Sequence, residues 1–307
     1  MEVAVKDRRH IRSLPRKTPL DPHVHAAALR DLQLAAVTMR RMLLYMGHRN
    51  RITLHYSALM SMTELVTLLY THWLSLRPGE PHWPERDRFV LSKGHGAPGL
   101  YAALAMTGVI DERHLDGFRR LHSILQGHPD RLKTPGVEAN SGSLGQGFAV
   151  ACGMALAAKM DVAPWRVYCL LSDGECNEGS VWEAAQIAAN LHLDRISVLV
   201  DRNGKSSYGW MAGRNDVEPL AEKWRAFNWA VEECDGHDFV SITHALARAD
   251  AAGRPAALIC RTVKGKGLPY FETVNTRAHV LLSDAEYAEC MRCLDTLERE
   301  IADGENH

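Results

Sequence analysis

The sequence predicts an α/β fold, a doubly wound parallel sheet with helices on both faces. Three observations predict it. Two continuous apolar runs, at 167–171 and 196–200, read as strands buried on both sides. A helical stretch from Val181 to Leu191 separates them, and strand, crossover helix and strand make a parallel βαβ unit. Two more strands, at 229–232 and 257–260, flank a helix from about Phe239 to Ala251, which continues the alternation.

The remaining elements follow in order. From Ala26 to Met46, apolar residues recur at Leu29, Leu32, Ala36, Met39, Leu43 and Met46, one face of an amphipathic helix. Met39, Met42 and Met46 form a stripe at helical spacing and are assigned to the core. Ser61-Met-Thr-Glu64 reads as a capping box that opens a helix carrying Leu65, Leu68 and Leu69. Phe89-Val-Leu91 is a short buried strand. Residues 120–146 are rich in Gly, Pro, Asn and Ser and read as a long loop, a feature that is usually functional inside a compact domain. A short helix near 284–301 closes the chain. The expected division is a basic arm, residues 1–25, followed by one domain, residues 26–307. The arm carries Lys6, Arg8, Arg9, Arg12, Arg16 and Lys17, lacks apolar periodicity, and reads as a mobile arm or a strap that docks a partner.

Composition narrows the function. With 307 residues and a formal net charge of −1, no global field steers the chain toward nucleic acid or an anionic membrane. Seven cysteines are an odd number, and Cys152, Cys169 and Cys260 lie in apolar runs, as expected of free thiols in a reducing cytoplasm. No run is long enough to span a bilayer, and the first residues lack the apolar stretch of a signal peptide.

In a parallel sheet, ligands bind beyond the carboxyl ends of the strands. Ser172-Asp173-Gly174-Glu175 follows the first central strand, and Asp201-Arg202-Asn203-Gly204 follows the second. The crossover therefore puts Asp173 and Asn203 at one edge. A carboxylate and an amide oxygen are hard donors, suited to Mg²⁺ or Ca²⁺ and poorly suited to Zn²⁺. Two protein oxygens make a weak site alone, which Mg²⁺ completes with carbonyls, water and phosphate oxygens. Gly174 lets a diphosphate approach the backbone, and the nearby helix N-terminus offers free N–H groups. Each segment alone is more often a simple turn; the pair, at adjacent strand ends, favours the metal–diphosphate reading.

Those segments, read as LSDGECNEGSVWEAA and VDRNGKSSYG, resemble the thiamine diphosphate fingerprint. DRFVLSKGHGAPGLYA (87–102), LQGHPD (125–130) and NSGSLGQGFAVACGMALA (140–157) resemble transketolases, and the resemblance runs from about Ala26 to about Ser283. It is that of the N-terminal subunit of a split, two-chain transketolase. It implies Asp173, Asn203 and the carbonyl of Lys205 as metal ligands and Gly174 as a diphosphate contact. Gly142 and Leu144 resemble the segment lying against the cofactor, with Ser143 in place of proline. Glu178 resembles the glutamate that communicates with the partner's pyrimidine-activating carboxylate. His95 and His128 resemble histidines facing cofactor and substrate.

Two departures stand out. His55 falls on a family histidine whose flanking glycines and proline are gone, leaving Leu54-His55-Tyr56-Ser57. His279 is nearest to the family's late substrate histidine, one residue off in spacing and followed by Val280 instead of glycine. The implied activity is transfer of a two-carbon ketol unit from a ketose to an aldose, with thiamine diphosphate and Mg²⁺ (Ca²⁺ as a substitute). The implied partner is a C-terminal subunit carrying the pyrimidine-binding domain, in an α₂β₂ heterotetramer. The rivals are a 2-oxo-acid dehydrogenase α chain, disfavoured by the SKGHGAPG and GHP stretches, a specialised ketol or acyl transferase of secondary metabolism, and a non-catalytic scaffold.

Overall fold

The central sheet has five parallel strands in the order β1-β2-β3-β7-β6. They are β1 Arg88–Leu91, β2 Val167–Ser172, β3 Ile196–Arg202, β6 Ala230–Asp235 and β7 Ala256–Arg261. A two-stranded antiparallel ribbon, β4 Lys205–Ser206 with β5 Gly209–Trp210, stands beside them. The computed structural model describes residues 14–77, 79–206, 209–273 and 279–304.

Alternation along each strand divides the core in two. Tyr168, Leu170, Leu199 and Leu258 pack with helices α1 Ala26–Asn50, α3 Thr63–Leu68, α4 Ala97–Met106 and α8 Phe239–Asp250. Val167, Cys169, Leu171, Val198 and Val200 point the other way, toward α5 Gln146–Met160, α6 Gly179–Asn190 and α7 Leu220–Ala226. Helices thus cover both faces, which is what the apolar runs require. Behind α5, Phe148 packs on Trp224 and Trp229 with ring centroids 5.8 Å away in each case, and Trp229 Nε1 donates to the Ala185 carbonyl at 2.9 Å. Met39, Met42 and Met46 are buried in the first core. The loop expectation also holds, since neither helix nor strand occurs from 118 to 145.

Three expectations change. Ser61 and Glu64 form no capping box. The preceding helix α2, Tyr56–Ser61, runs almost directly into α3, whose N-cap is Met62 with no side-chain cap bond. Both polar groups are taken by stronger partners: Ser61 Oγ donates to Asp201, and Glu64 pairs with Arg40 and His237. A true capping box closes instead on Ser283 and Glu286 at the start of α10, Asp284–Asp303, a 20-residue helix rather than a short one. Short α9, Pro269–Thr273, precedes it. Cys290 and Cys293 on α10 have CxxC spacing, yet both are free thiols.

The third change concerns the basic segment. Lys6, Arg8, Arg9 and Arg12 lie outside the described residues. Arg16 and Lys17 are engaged by the chain itself: Arg16 donates to the Leu74 carbonyl and Lys17 pairs with Asp87 at 2.9 Å. Leu20 is fully buried, its N–H bonded to Thr243 Oγ1 of α8 at 3.0 Å.

Trp229→Ala should cost about 3–5 kcal/mol, as a large buried aromatic lost from a closed core. Urea unfolding measures it; a loss within the ~0.5 kcal/mol of a surface change would show that the aromatic cluster does not hold α5 to the sheet.

Candidate active site

Every strand of the sheet points its carboxyl end at the same edge, so the residues just past β1, β2, β3 and β7 meet there. β1 leads into Ser92, Lys93 and the tight turn Gly94–Gly96 that carries His95. The turn needs glycine: a Cβ on Gly94 would lie 2.7 Å from the Gly142 nitrogen. Ser141 Oγ donates to the Leu91 carbonyl at 2.6 Å, so the 141–145 segment lies across the end of β1.

Glu175 ties that segment to β2. Its buried carboxylate accepts from Gly145 N–H at 2.8 Å, from Ser92 Oγ–H at 2.6 Å and from Ser172 N–H at 3.3 Å. Ser92 Oγ in turn accepts from Phe148 N–H at 3.0 Å, in the first turn of α5. Burial pushes the Glu175 carboxyl up, and these donors work against it.

Asp173 is 1% exposed. Its carboxylate accepts from Gly174 N–H at 2.8 Å and from Gly204 N–H at 2.5 Å, so it spans the ends of β2 and β3. Burial, then the charge of Asp201, push it up to about 6. Asn203 lies beside it: its amide oxygen accepts from Lys205 N–H at 3.2 Å and its Nδ2 reaches toward Asp201 Oδ1 at 3.4 Å. The Lys205 ammonium points away, 4.3 Å from the centre of the Trp210 ring.

Asp201 is the buried centre of the edge, fully inaccessible to solvent. Lys93 forms an ion pair with it, and Ser61 Oγ and Thr262 Oγ1 donate to it. Burial alone would raise its carboxyl, but the Lys93 ammonium and the hydrogen bonds hold it below the usual carboxylate range. Lys264, past β7, donates to the Ser206 carbonyl at 3.2 Å. Burial lowers its ammonium while Asp201 and Asp173, both within electrostatic reach, act the other way.

The histidines fall into two places. His55, His95 and His279 form one cluster, with His55 5.2 Å from His95 and 3.9 Å from His279 between ring centroids. An isolated antiparallel bridge between Leu54 and Val280 brings His55 and His279 together. Burial, then Lys93 and His55, lower His95 to about 3, which leaves it neutral at physiological pH. His128 stands apart: its ring lies 3.5 Å from where a Cβ on Gly142 would project, and it is exposed. Glu178 is also exposed, at the start of α6, its Cβ 3.1 Å from a notional Cβ on Gly145.

The sequence reading therefore finds Asp173, Gly174, Asn203, Lys205, Gly142, Leu144 and the five titratable candidates, but passes over Lys93, Glu175, Asp201 and Lys264 as site residues. A signal existed for two of them. Lys93 and Asp201 each follow an uninterrupted apolar strand within two residues, where a charge is buried and must be paired.

The donor set suits a magnesium–diphosphate group. Asp173 is a buried carboxylate whose two hydrogen bonds come from backbone N–H groups alone. Nothing lies within 3.4 Å of a Cβ built on Gly174; the nearest atom, Met211 Sδ, is 3.8 Å away. Among the described residues no three His, Cys, Asp or Glu side chains are placed to hold a metal ion together, so a cation here would draw its other ligands from amide, carbonyl and phosphate oxygens.

The chain as a whole is similar to known proteins. Residues 33–294 match the family model of the transketolase thiamine diphosphate-binding domain. The chain is 43% identical, over 71% of its length and 80% of the relative's, to a 6-deoxy-6-sulfo-D-fructose transketolase subunit from Clostridium sp. (strain MSTE9). It is 39% identical, over 79% of its length and 88% of the relative's, to an apulose-4-phosphate transketolase subunit from Actinobacillus succinogenes. Transketolase from Leishmania mexicana superposes with a TM-score of 0.76 at 28% identity, covering 90% of this chain and 44% of that one. The chain belongs to the transketolase family of transferases and carries its thiamine diphosphate-binding domain.

Proposed function

We propose that this chain anchors the diphosphate of thiamine diphosphate through one Mg²⁺ and, joined to a second chain carrying the pyrimidine-binding half, transfers a two-carbon ketol unit from a ketose to an aldose. The observation that carries the reading is the placement of Asp173 and Asn203 at neighbouring strand ends, on the sheet edge that also carries the histidine cluster. Asp173, Asn203 and the Lys205 carbonyl would hold the metal, with Gly174 against the diphosphate and Gly142 and Leu144 against the cofactor body. When bound, the cofactor supplies the electron sink for cleaving and forming the carbon–carbon bond.

This chain's residues then bind, orient and move protons. His95, neutral and partly buried, can accept or donate a proton at the substrate's oxygens. His55 and His279 stand beside it as hydrogen-bonding groups for the sugar, and His128, against Gly142, would add a further one. Glu178, exposed at the mouth, would meet the partner's carboxylate. The subunit designations of the two relatives support a partner chain, as do exposed apolar side chains on α5 and α6: Val150 at 44%, Ile187 at 55% and, just past α6, Leu191 at 41%. The proposed assembly is a heterotetramer of two copies of each chain, working in the cytoplasm. No helix of the described residues is long and apolar enough to cross a membrane.

A second reading has its own observation. The loss of the glycines and proline around His55, with relatives named for 6-deoxy-6-sulfo-D-fructose and apulose 4-phosphate, favours a transketolase of specialised metabolism.

Three outcomes test these proposals. Asp173→Ala should weaken Mg²⁺-dependent binding of thiamine diphosphate by the assembled enzyme at least about 100-fold, since outer-shell partners of a metal alone cost about 10–100-fold; unchanged affinity by calorimetry in a folded variant sinks the metal assignment. His95→Ala should lower kcat about 10²–10⁴-fold while cofactor affinity stays within about threefold; equal losses in both would make His95 a structural residue. Ile187→Glu with Val150→Glu should block association with the second chain and remove ketol transfer, read by analytical ultracentrifugation and assay together. Turnover of order 1 s⁻¹ or more by the single chain alone would refute the two-chain reading.

A further inference from the structure

The turn Lys264-Gly-Lys-Gly267 reaches the site from β7, and three polar side chains outside the site hold it. Arg40 of α1 is 3% exposed, and its Nη2 donates to Glu64 Oε1 of α3 at 2.5 Å. The Nε of the same guanidinium donates to the Lys266 carbonyl at 3.0 Å. Glu64 Oε2 lies 2.8 Å from His237 Nδ1, in the turn between β6 and α8. His237 Nε2 lies 2.8 Å from the Val263 backbone nitrogen. Burial would raise the Glu64 carboxyl, but Arg40 and His237 hold it below the usual carboxylate range.

The tautomer follows from the donors. A backbone N–H can only donate, so Nε2 must offer its lone pair to Val263. The ring proton then sits on Nδ1 and is donated to Glu64. The turn is clamped at both ends, at Val263 by His237 and at Lys266 by Arg40. Its middle is fixed where Gly265 N–H donates to the Ser57 carbonyl at 2.9 Å. The closeness is steric as well: a Cβ on Gly267, at φ +84°, would lie 2.8 Å from Arg40 Nε. Between the clamps, Lys264 projects toward the strand-end carboxylates, its Nζ on the Ser206 carbonyl.

We propose that Arg40, Glu64 and His237 are positioning residues, a relay that sets the Lys264 ammonium at the diphosphate edge through the Nδ1–H tautomer of His237. None of the three belongs to the proposed metal, cofactor or histidine set. They come from three separate elements and converge on one turn. A buried ion pair adds little stability for its own sake; the geometry it imposes is its use here. The inference rests on the proposed diphosphate site for its functional consequence, while the clamp itself is measurable without it.

The test compares His237→Gln with His237→Asn. A glutamine amide oxygen reaches the place of Nε2 and can accept from Val263; an asparagine amide reaches only the place of Nδ1 and leaves Val263 unbonded. In the full chain, His237→Asn should speed amide exchange across 262–267 and acylation of the Lys264 amine, read by peptide mass spectrometry, each about tenfold, the weight of one buried hydrogen bond. Exchange of the β3 core should not change, and His237→Gln should stay near wild type. In the assembled enzyme, His237→Asn should weaken thiamine diphosphate about tenfold, with kcat at saturating cofactor within about twofold. The idea is overturned if Asn and Gln behave alike, or if β3 loosens as much as the turn. Should the Asn variant not fold, ¹⁵N shifts of His237 in the unaltered chain decide, since an Nε2–H tautomer excludes the relay. If the exchange and labelling results hold while cofactor affinity does not move, the clamp stands and the diphosphate reading of this edge fails.

Discussion

The ion pair between Lys93 and Asp201 fixes the carboxyl edge of this sheet. Both side chains are essentially inaccessible to solvent, in a place where an unpaired charge would cost several kcal/mol. Each requires the other, and Asp201 has oxygens to spare for Ser61 and Thr262. One carboxylate therefore draws together the end of β1, the end of β3, the end of β7 and the last turn of α2. Removing either charge would leave the other buried and uncompensated, a loss of about 3–5 kcal/mol. Well-packed apolar residues could hold these strands as firmly, but they would not orient the polar groups around them.

Three carboxylates share this edge, and their surroundings give them three different characters. Asp201 is neutralised by Lys93 and stays below the ordinary range. Glu175 is raised by burial but is satisfied within the fold, bonded to two backbone N–H groups and a hydroxyl. In that role it caps the entry to α5, directly and through Ser92, so a free anion there would meet a carboxylate already in place. Asp173 is also raised, to about 6, and the neighbouring Asp201 adds to the rise. Its bonds come from backbone N–H groups, and among the described residues no side-chain cation is bonded to it. The residue singled out by spacing at the strand ends is thus the one carboxylate of the three that is bonded neither to a side-chain cation nor to a hydroxyl among the described residues.

Much of the fold was legible because fully buried parallel strands write themselves as continuous apolar runs. Val167–Leu171 and Ile196–Val200 needed no tertiary information, and neither did the amphipathic period of α1. The failures have a common cause. Ser61 and Glu64 have the spacing of a capping box, but local spacing cannot show that Asp201, Arg40 and His237, distant in sequence, will claim them. Ser283 and Glu286 have the same spacing at an exposed helix start, where no buried partner competes, and there the box forms. The site divides the same way. Asp173 and Asn203 follow from topology, since a βαβ unit must bring adjacent strand ends together. The meeting of His55 with His279 depends on a single bridge between Leu54 and Val280, which no local pattern announces. Altered neighbours around His55 and shifted spacing before His279 suggested displacement, yet the rings lie 3.9 Å apart.

Burial also separates the tasks within the site. Asp173, Glu175, Asp201 and Lys93, which build the edge, are all buried. His128 and Glu178 are exposed, and both stand against the 142–145 segment. Groups that must keep their geometry before any ligand arrives are locked by pairing inside the fold. The exposed groups are left where packing does not constrain them. A cofactor lying on this segment would have one flank on fixed charges and the other on side chains still awaiting a covering surface. On that geometry, the metal and diphosphate end can be pre-organised by this chain alone. On the proposed two-chain reading, the second chain would exclude water from the reacting end.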